Sequence, residues 1–397
     1  MKSKILFFSL CLFSSIRLFA QAEDGKVATV FEGLIFPAQP QHTHGSSIVS
    51  LPNGDVLAAW FQGSGERSSD DVKIMGARLK KGSKQWSVPF TMADTYNLPD
   101  CNPVLFLNNH NKLFLVWIAV QAHKWECSIL RYRTSVNYDG SGAPTWSWQD
   151  NILLAPNDSF AIETATKFKQ LTKYTGGNGA YAPKYDDMII EASKDFAKRS
   201  MGWMTRIKPL KLSNGRILLP LYSDGFNMGM VAISDDDGDT WRASLPIVGR
   251  GNVQPALVQK KNGNIAAYMR DNGDEPSRVQ TSESTDNGQT WSAAQKTDIP
   301  NTASVELIVL QDGRWAFVGN DEEDGRYRLG LFLSDDEGKT WKWKRYLENV
   351  LNKKGRFSYP CLIQTTDGLI HVSYSYSLED KTGESIKYVV VDPKIIN

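Results

Sequence analysis

An eight-residue pattern, Ser-x-Asp-x-Gly-x-Thr-Trp, occurs three times in this chain of 397 residues. The copies are Ser234–Trp241, Ser284–Trp291 and Ser334–Trp341, so corresponding residues lie 50 positions apart. Each copy follows an apolar alternating stretch such as Leu329–Leu333. A fixed period of this length with β patterning between the copies is typical of propellers and other stacked arrays. The repeat therefore predicts an all-β chain made of successive antiparallel sheets.

The aspartates of the repeat have a structural explanation. A strand ends at the Ser, the Asp side chain can cap the turn that follows, and the Gly supplies a positive φ angle. The Trp then packs on the next strand. Asp236, Asp286 and Asp336 are therefore interpreted as turn residues and not as catalytic acids.

Further turns between apolar runs divide the chain into six units, and a degenerate fourth repeat, Ser135–Trp146, falls in the second of them. We predict a six-bladed β-propeller over residues 21–397, with the strand near Val27–Phe36 completing the last blade. The predicted blades are at roughly 44–90, 98–150, 203–245, 252–295, 302–345 and 357–391. Residues 157–200 interrupt this rhythm and are predicted as a small helical insertion, with a helix over Tyr185–Ala197, that forms a lid or part of a pocket wall.

The first 20 residues have the pattern of a secretory signal peptide. Two lysines, Lys2 and Lys4, precede the apolar run Ile5–Phe13, and a small residue, Ala20, ends the segment. The run is too short to span a bilayer. We therefore predict an exported protein, periplasmic or extracellular, with cleavage near Ala20 and no membrane span; a buried N-terminal strand is the alternative reading.

Composition narrows the possible partners. The formal net charge is +1 and the isoelectric point is near 7.6, which gives no electrostatic reason to expect nucleic acid as a partner. The cysteines beyond the predicted signal peptide, Cys101, Cys127 and Cys361, are scattered and are expected to be free thiols. The histidines and cysteines form no metal-ligand spacing, so no metal and no cofactor are predicted.

The repeats, their spacing and the intervening turns resemble the sialidase (neuraminidase) superfamily, in which the repeats are called Asp boxes. That resemblance implies a glycoside hydrolase without a cofactor whose partner is a glycan. It also implies three arginines that clamp a sugar carboxylate, an acid/base Asp and a Tyr nucleophile assisted by Glu. Arginine forks fit a carboxylate in bidentate fashion. Sialidases are an exception to the rule of two catalytic carboxylates.

Four positions match this arrangement in order along the chain. By resemblance, Asp71 in the first blade is the acid/base residue and Tyr359, which opens the last blade, is the nucleophile or a polarising group. Arg270 and Arg326 hold the acidic group of the sugar, with Arg328 as a rival to Arg326.

Two positions depart from the family pattern. His44 stands where the first clamp arginine is expected, and Gln254 stands where the Glu partner of the tyrosine is expected. Gln cannot take a phenolic proton. A histidine can act as a general acid or base near neutral pH, so His44 is a catalytic candidate. Arg206 is predicted to open onto the pocket and restore the missing charge; a solvated surface arginine is the alternative.

Three functions remain open from the sequence. The first is an exported exo-glycosidase that removes a terminal, acidic sugar other than ordinary sialic acid. The second is a polysaccharide lyase or glycosidase that acts at a uronic acid and uses His44 and Tyr359 for proton transfer. The third is a propeller that binds glycans without turning them over.

Overall fold

A computed structural model describes residues 25–172, 184–379 and 383–396. Within these ranges the strands form six successive antiparallel units, and the predicted six-bladed β-propeller is confirmed. The predicted signal peptide lies outside the described residues. None of the helices in these ranges is long and apolar enough to cross a membrane.

The first two blades are regular four-stranded meanders in which each strand pairs with the next one along the chain. A short strand that precedes them is β1 (Phe31–Leu34). Blade one contains β2 (His42–Ser50), β3 (Val56–Gly63), β4 (Lys73–Leu79) and β5 (Phe90–Ala93). Blade two contains β6 (Asp100–Leu107), β7 (Leu113–Val120), β8 (Ser128–Ser135) and β9 (Trp148–Asn151).

Blade three has a divided first strand, and a single parallel bridge between Met228 and Asn252 joins it to blade four. Blade three contains β10 (Met204–Thr205), β11 (Leu210–Lys211), β12 (Ile217–Ser223), β13 (Met228–Ser234) and β14 (Arg242–Ala243). Blade four contains β15 (Asn252–Gln259), β16 (Ile265–Asp271), β17 (Arg278–Ser284) and β18 (Gln295–Pro300).

The last blade takes one strand from the beginning of the chain. Blade five contains β19 (Glu306–Val309), β20 (Trp315–Gly319), β21 (Arg328–Ser334) and β22 (Trp343–Asn349). Blade six contains β23 (Gly355–Gln364), β24 (Ile370–Leu378) and β25 (Glu384–Val391). Strand β1 pairs antiparallel with β25, with Phe31 opposite Val390, as the sequence predicted.

The repeated motif forms the same turn after the third strand of blades three, four and five. In the first copy the Asp236 carboxylate accepts hydrogen bonds from the Ser234 hydroxyl (2.8 Å) and the Thr240 amide (2.9 Å). Gly238 has φ +97°, and a Cβ atom there would lie 2.7 Å from the ring of Phe114 in the preceding blade. The glycine is therefore required both by the backbone angle and by packing between blades.

The insertion between blades two and three contains α1 (Ser159–Phe168), α2 (Tyr185–Lys194) and α3 (Phe196–Ser200). The single helix predicted over Tyr185–Ala197 is wrong in its last residues, because Asp195 leaves the helical conformation and its carboxylate caps α3. The buried ring of Phe160 packs against Trp203 and Phe226. These aromatic contacts anchor the described part of the insertion on blade three.

Apolar side chains fill the space between neighbouring blades, whereas small polar groups connect the first strand of blade one to the blades on either side. The Ser46 hydroxyl of blade one lies 2.9 Å from the Ser373 hydroxyl of blade six, and the Ser47 hydroxyl accepts from the Leu105 amide of blade two (2.9 Å). Cys101 and Cys361 are buried free thiols and Cys127 is a half-buried one. The apolar core thus lies between the blades, and polar side chains lie near the axis of the propeller.

Candidate active site

Four first strands share an irregularity that directs side chains toward the axis. The pairing register shifts by a bulge in each of β2, β6, β15 and β23. One residue inside each bulge has a positive φ angle: Gly45 (65°), Asn102 (51°), Gln254 (57°) and Tyr359 (56°). Proline, which is tolerated at bulges, follows the last three of these residues. Bulges re-aim side chains beside active sites, and the positive φ angles of Asn102, Gln254 and Tyr359 fall at these bulges.

A cavity of about 420 Å³ lies where these strands converge, and all six blades contribute to its wall. Blades one to three contribute His42, Thr43, His44, Glu66, Asn102, Trp125, Tyr222 and Asp224. Blades four to six contribute Val253, Gln254, Arg270, Asn272, Arg326, Arg356, Ser358, Tyr359, Ser375, Tyr376, Ser377 and Glu384. Among the described residues of the insertion, none is in this wall.

Five of the seven predicted site residues line the cavity and two do not. The five are His44, Gln254, Arg270, Arg326 and Tyr359. Their sequence separations are large, so only the propeller fold brings them together. The two exceptions, Asp71 and Arg206, are corrected below.

Tyr359 is at the centre of the group. Its hydroxyl oxygen accepts hydrogen bonds from Gln254 Nε2 (3.3 Å) and Arg270 Nη1 (3.2 Å). The ring of His44 lies against the tyrosine ring, with centroids 4.1 Å apart. Gln254 thus supplies a donor where the resemblance implied a proton acceptor. Two donors on one phenolic oxygen stabilise negative charge on that oxygen.

Arg206 lies below the cavity and not in it. Its guanidinium carbon is 4.8 Å from the centroid of the Tyr359 ring, and only 2% of the residue is exposed. Its two terminal nitrogens donate to the carbonyl oxygens of Ser46 (3.2 Å) and Pro360 (3.0 Å). The prediction that Arg206 opens onto the pocket is therefore wrong, because blade three turns this side chain under the tyrosine.

Asp71 is an exposed turn residue, which does not fit the predicted acid/base role. Its carboxylate accepts from the Ser64 hydroxyl (2.8 Å) and from the Ser64 amide (3.1 Å), and it does not line the cavity. From the same loop, Glu66 reaches the cavity. The loop that was predicted to supply the acid/base residue thus places Glu66, and not Asp71, in the cavity wall.

Three arginines line the cavity without a carboxylate partner. Arg270, Arg326 and Arg356 form no ion pair with any described residue, and Arg326 Nη1 donates to the Ser358 hydroxyl at 3.4 Å. A backbone bridge places Arg326 beside Arg356. Burial and the nearby Arg270 and Arg356 cations lower the pKa of Arg326. Arg328, the rival from the sequence, instead pairs with Glu322 at 3.2 Å.

Two histidines of β2 lie in contrasting surroundings. Burial and the nearby Arg326 and His42 hold the pKa of His44 well below its ordinary value, so His44 is neutral at pH 7. Burial also opposes a charge on His42. The carboxylate of Glu384, 3.1 Å from His42 Nδ1, outweighs that effect and raises the pKa of His42. The ring centroids are 5.8 Å apart.

The sequence reasoning missed His42, Glu66, Asp224, Arg356 and Glu384. Burial raises the pKa of Asp224, against the opposing effect of Arg270 and Arg67, and the charges of Glu66 and Glu126 raise it further. Asp224 comes directly after β12, and Glu384 and Arg356 are near the start of strands of blade six. Their position at strand ends was the available sequence signal for a site near the axis. Polar residues at strand ends on the opposite face of the propeller have the same sequence pattern, so the signal does not distinguish the two faces.

Comparison with known proteins agrees with this architecture. The model of the BNR repeat-like domain matches residues 54–205 and 200–372. The chain belongs to the BNR repeat-like domain family. The predicted resemblance to the sialidase superfamily is confirmed at the level of repeats and fold. No curated protein matches the sequence.

Solved structures similar to this BNR-repeat protein extend over most of the chain. A protein of unknown function from Dyadobacter fermentans has a TM-score of 0.65 at 16% identity, covering 93% of this chain and 99% of its own. The leech intramolecular trans-sialidase has a TM-score of 0.66 at 15% identity, with 93% and 71% covered. The intramolecular trans-sialidase from Ruminococcus gnavus has a TM-score of 0.64 at 14% identity, with 89% and 95% covered. At these identities the likeness establishes the fold alone.

Proposed function

We propose that this BNR-repeat protein is an exported exo-glycosidase that removes a terminal acidic sugar from glycans. One observation carries the proposal: Arg270, Arg326 and Arg356 line the same axial cavity as Tyr359 and form no ion pair with a described residue. Guanidinium groups that converge in a cavity without forming ion pairs favour an anionic ligand. The fold and the repeats independently support a glycosidase-like or glycan-binding role.

In this proposal the sugar carboxylate lies against Arg270, Arg326 and Arg356. Arg356 compensates for the clamp arginine that His44 replaces, since it adjoins Arg326 from blade six. The guanidinium forks can donate two parallel hydrogen bonds to one carboxylate, which lysine cannot do. Because His44 and Arg356 change the clamp, we propose selectivity toward an acidic sugar other than ordinary sialic acid.

Tyr359 then faces the anomeric carbon. Its hydroxyl receives hydrogen bonds from Arg270 and Gln254, and Arg206 lies 4.8 Å below its ring. We assign Tyr359 the role of stabilising the positive charge that develops at the anomeric carbon when the glycosidic bond breaks. If the Tyr359 oxygen attacked the anomeric carbon with the help of a base, position 254 would need a proton acceptor. The amide of Gln254 cannot take that proton.

The size of the cavity favours action at a chain end. A volume of about 420 Å³ lies at the low end of small-molecule sites and suits one sugar ring with part of a second. At the rim Trp125 is covered by the guanidinium of Arg67, 5.3 Å from the ring centroid. This pair offers a stacking surface for the part of the glycan that leaves.

The proposal is tested with a panel of methylumbelliferyl glycosides and the protein that starts at Gln21. The acidic members carry N-acetylneuraminic, glucuronic or galacturonic acid, and the neutral members carry glucose or N-acetylglucosamine. We expect release from at least one acidic member, none from the neutral members, and a loss of about 100-fold or more in Tyr359→Phe. Release from neutral glycosides at equal rates would contradict an anion-selective site.

A second candidate, a uronate lyase, is favoured by one observation: neutral His44 lies against the ring of Tyr359. In that reaction His44 takes the proton beside the uronate carboxylate, a carbon–carbon double bond forms as the glycosidic C–O bond breaks, and Tyr359 donates its proton to the leaving oxygen. β-Elimination creates an absorbing double bond that hydrolysis does not, so ultraviolet absorbance during digestion of a polyuronate separates the two reactions. Binding without any turnover, unchanged in Tyr359→Phe, would indicate a glycan-binding propeller.

A further inference from the structure

A histidine–carboxylate pair occupies one wall of the axial cavity and is not used by the roles assigned above. His42 lies on β2 of blade one and Glu384 on β25 of blade six. Glu384 Oε2 is 3.1 Å from His42 Nδ1 and also accepts the Thr43 amide at 2.7 Å. These two contacts hold the carboxylate at the Nδ1 side of the imidazole ring.

The second ring nitrogen of His42, Nε2, takes no part in the pair with Glu384. His42 Nε2 is buried and finds no hydrogen-bond partner among the described residues, while its ring forms part of the cavity wall. An imidazole whose Nδ1 is held by a carboxylate presents Nε2 as its reactive nitrogen. This arrangement resembles in function a carboxylate that orients a catalytic histidine.

The charged groups that face His42 come from several elements. Glu384 of β25 and Glu66 of the loop after β3 favour the imidazolium, whereas Arg356 of β23 opposes it. His44, on the same strand, is held neutral. The two histidines, with ring centroids 5.8 Å apart, thus have pKa values shifted in opposite directions, upward for His42 and downward for His44.

We propose that His42, oriented by Glu384, is the catalytic residue that donates a proton to the leaving group. The inference rests on the proposed glycosidase function. It supplies a proton donor in place of Asp71, which does not line the cavity. The glycosidic C–O bond breaks, its electron pair stays on the leaving oxygen, and the Nε2 proton completes a hydroxyl group there. Water then adds to the cationic anomeric carbon and returns its proton to Nε2.

Leaving-group dependence tests this assignment. A nitrophenyl glycoside expels a stable anion, whereas the methyl glycoside of the same acidic sugar needs a proton. For His42→Gln we expect a loss in kcat/KM of about 100-fold or more on the methyl glycoside and less than about 10-fold on the nitrophenyl glycoside. His110→Gln, an exposed histidine beside a repeat turn, is the matched control and keeps both rates.

Glu384→Gln provides a second readout. Without the carboxylate the imidazolium is less favoured, so the alkaline limb of the kcat/KM profile moves to lower pH while the acid limb stays. An unchanged alkaline limb would contradict the pair. Circular dichroism of both variants establishes that they fold.

Other outcomes separate this inference from the proposed function. Equal losses on the two substrates in His42→Gln would overturn the assignment while the glycosidase function stands. The same holds if Asp224→Asn, and not His42→Gln, shows the leaving-group dependence, since Asp224 would then be the donor. A wild-type protein that turns over none of the acidic glycosides would overturn the proposed function, and the proton-donor role with it.

Discussion

The turns of the repeated motif and the axial cavity are both rich in charged side chains, yet they satisfy those charges in opposite ways. In the turns, Asp236 accepts hydrogen bonds from Ser234 and Thr240 of its own motif. In the cavity, Arg270, Arg326 and Arg356 have no carboxylate partner among the described residues. A charge satisfied within its own turn stabilises the fold. A charge held by the fold without a partner is available to a ligand.

The carboxyl groups of the turns and of the cavity also differ in pKa. Burial opposes ionisation of Asp236 and Asp286, but hydrogen bonds from the threonine and serine of each motif outweigh it and lower the pKa of both carboxyls. In the cavity, burial raises the pKa of Asp224. The turn aspartates are therefore kept ionised at neutral pH. In the cavity, the pKa of Asp224 is shifted toward neutral pH.

The largest expected effect separates two neighbouring arginines. Arg326→Met removes an unpaired cation from the cavity, so we expect a loss of about 100- to 1000-fold in kcat/KM with little change in Tm. Arg328→Met leaves the buried carboxylate of Glu322 without its partner, so we expect a loss of about 2 kcal/mol in the free energy of unfolding. Kinetics and urea denaturation of both variants measure these effects.

The reverse pattern, in which Arg328→Met abolishes activity and Arg326→Met does not, would mean that the sugar acid binds elsewhere. Arg328, the alternative from the sequence, would then be the arginine that binds the acidic group.

A smaller effect compares two aspartates of one turn. Asp236→Ala removes several hydrogen bonds to a charged group, and we expect the free energy of unfolding to fall by about 2 kcal/mol without loss of activity. Asp239→Ala, three residues later, removes only an exposed contact with Lys112 and should cost less than about 1 kcal/mol. A marked loss of kcat in folded Asp236→Ala would contradict a purely structural role for the motif.

The smallest effect concerns the loop after β3. Asp71→Asn alters a surface turn and should change kcat/KM by less than about 3-fold. Glu66→Gln removes a cavity charge that favours the imidazolium of His42, the proposed proton donor, and should lower kcat/KM by about 10-fold or more. Steady-state kinetics on the same acidic glycoside provides the measurement. A larger loss in Asp71→Asn would restore the acid/base role implied by the resemblance.

The sequence predicted the fold well because its signals are local. The motif determines a turn from eight adjacent residues, and its spacing of 50 residues determines the blade. Tyr359 and Gln254 were predicted through the family resemblance, which places them near the start of the first strands of blades six and four. The helix that breaks at Asp195 was less predictable, because its amphipathic pattern continues through the capping residue.

Side-chain direction in irregular segments could not be predicted. The loop between β3 and β4 has no periodicity, so nothing in it distinguishes Glu66, which enters the cavity, from Asp71, which bonds to Ser64. The short strand β10 gave no indication that the next residue, Arg206, passes under the tyrosine ring. The pairing of His42 with Glu384 joins the two ends of the chain and has no local signature.

The central claim is that the axial cavity binds an acidic sugar through its unpaired arginines. Calorimetric titration of glucuronic acid, N-acetylneuraminic acid and neutral glucose into the wild type and Arg326→Met tests it most directly. We predict that at least one sugar acid binds the wild type at a single site, that glucose does not, and that Arg326→Met loses the binding. Equal binding of glucose, or binding of the acid unchanged in Arg326→Met, would contradict the account.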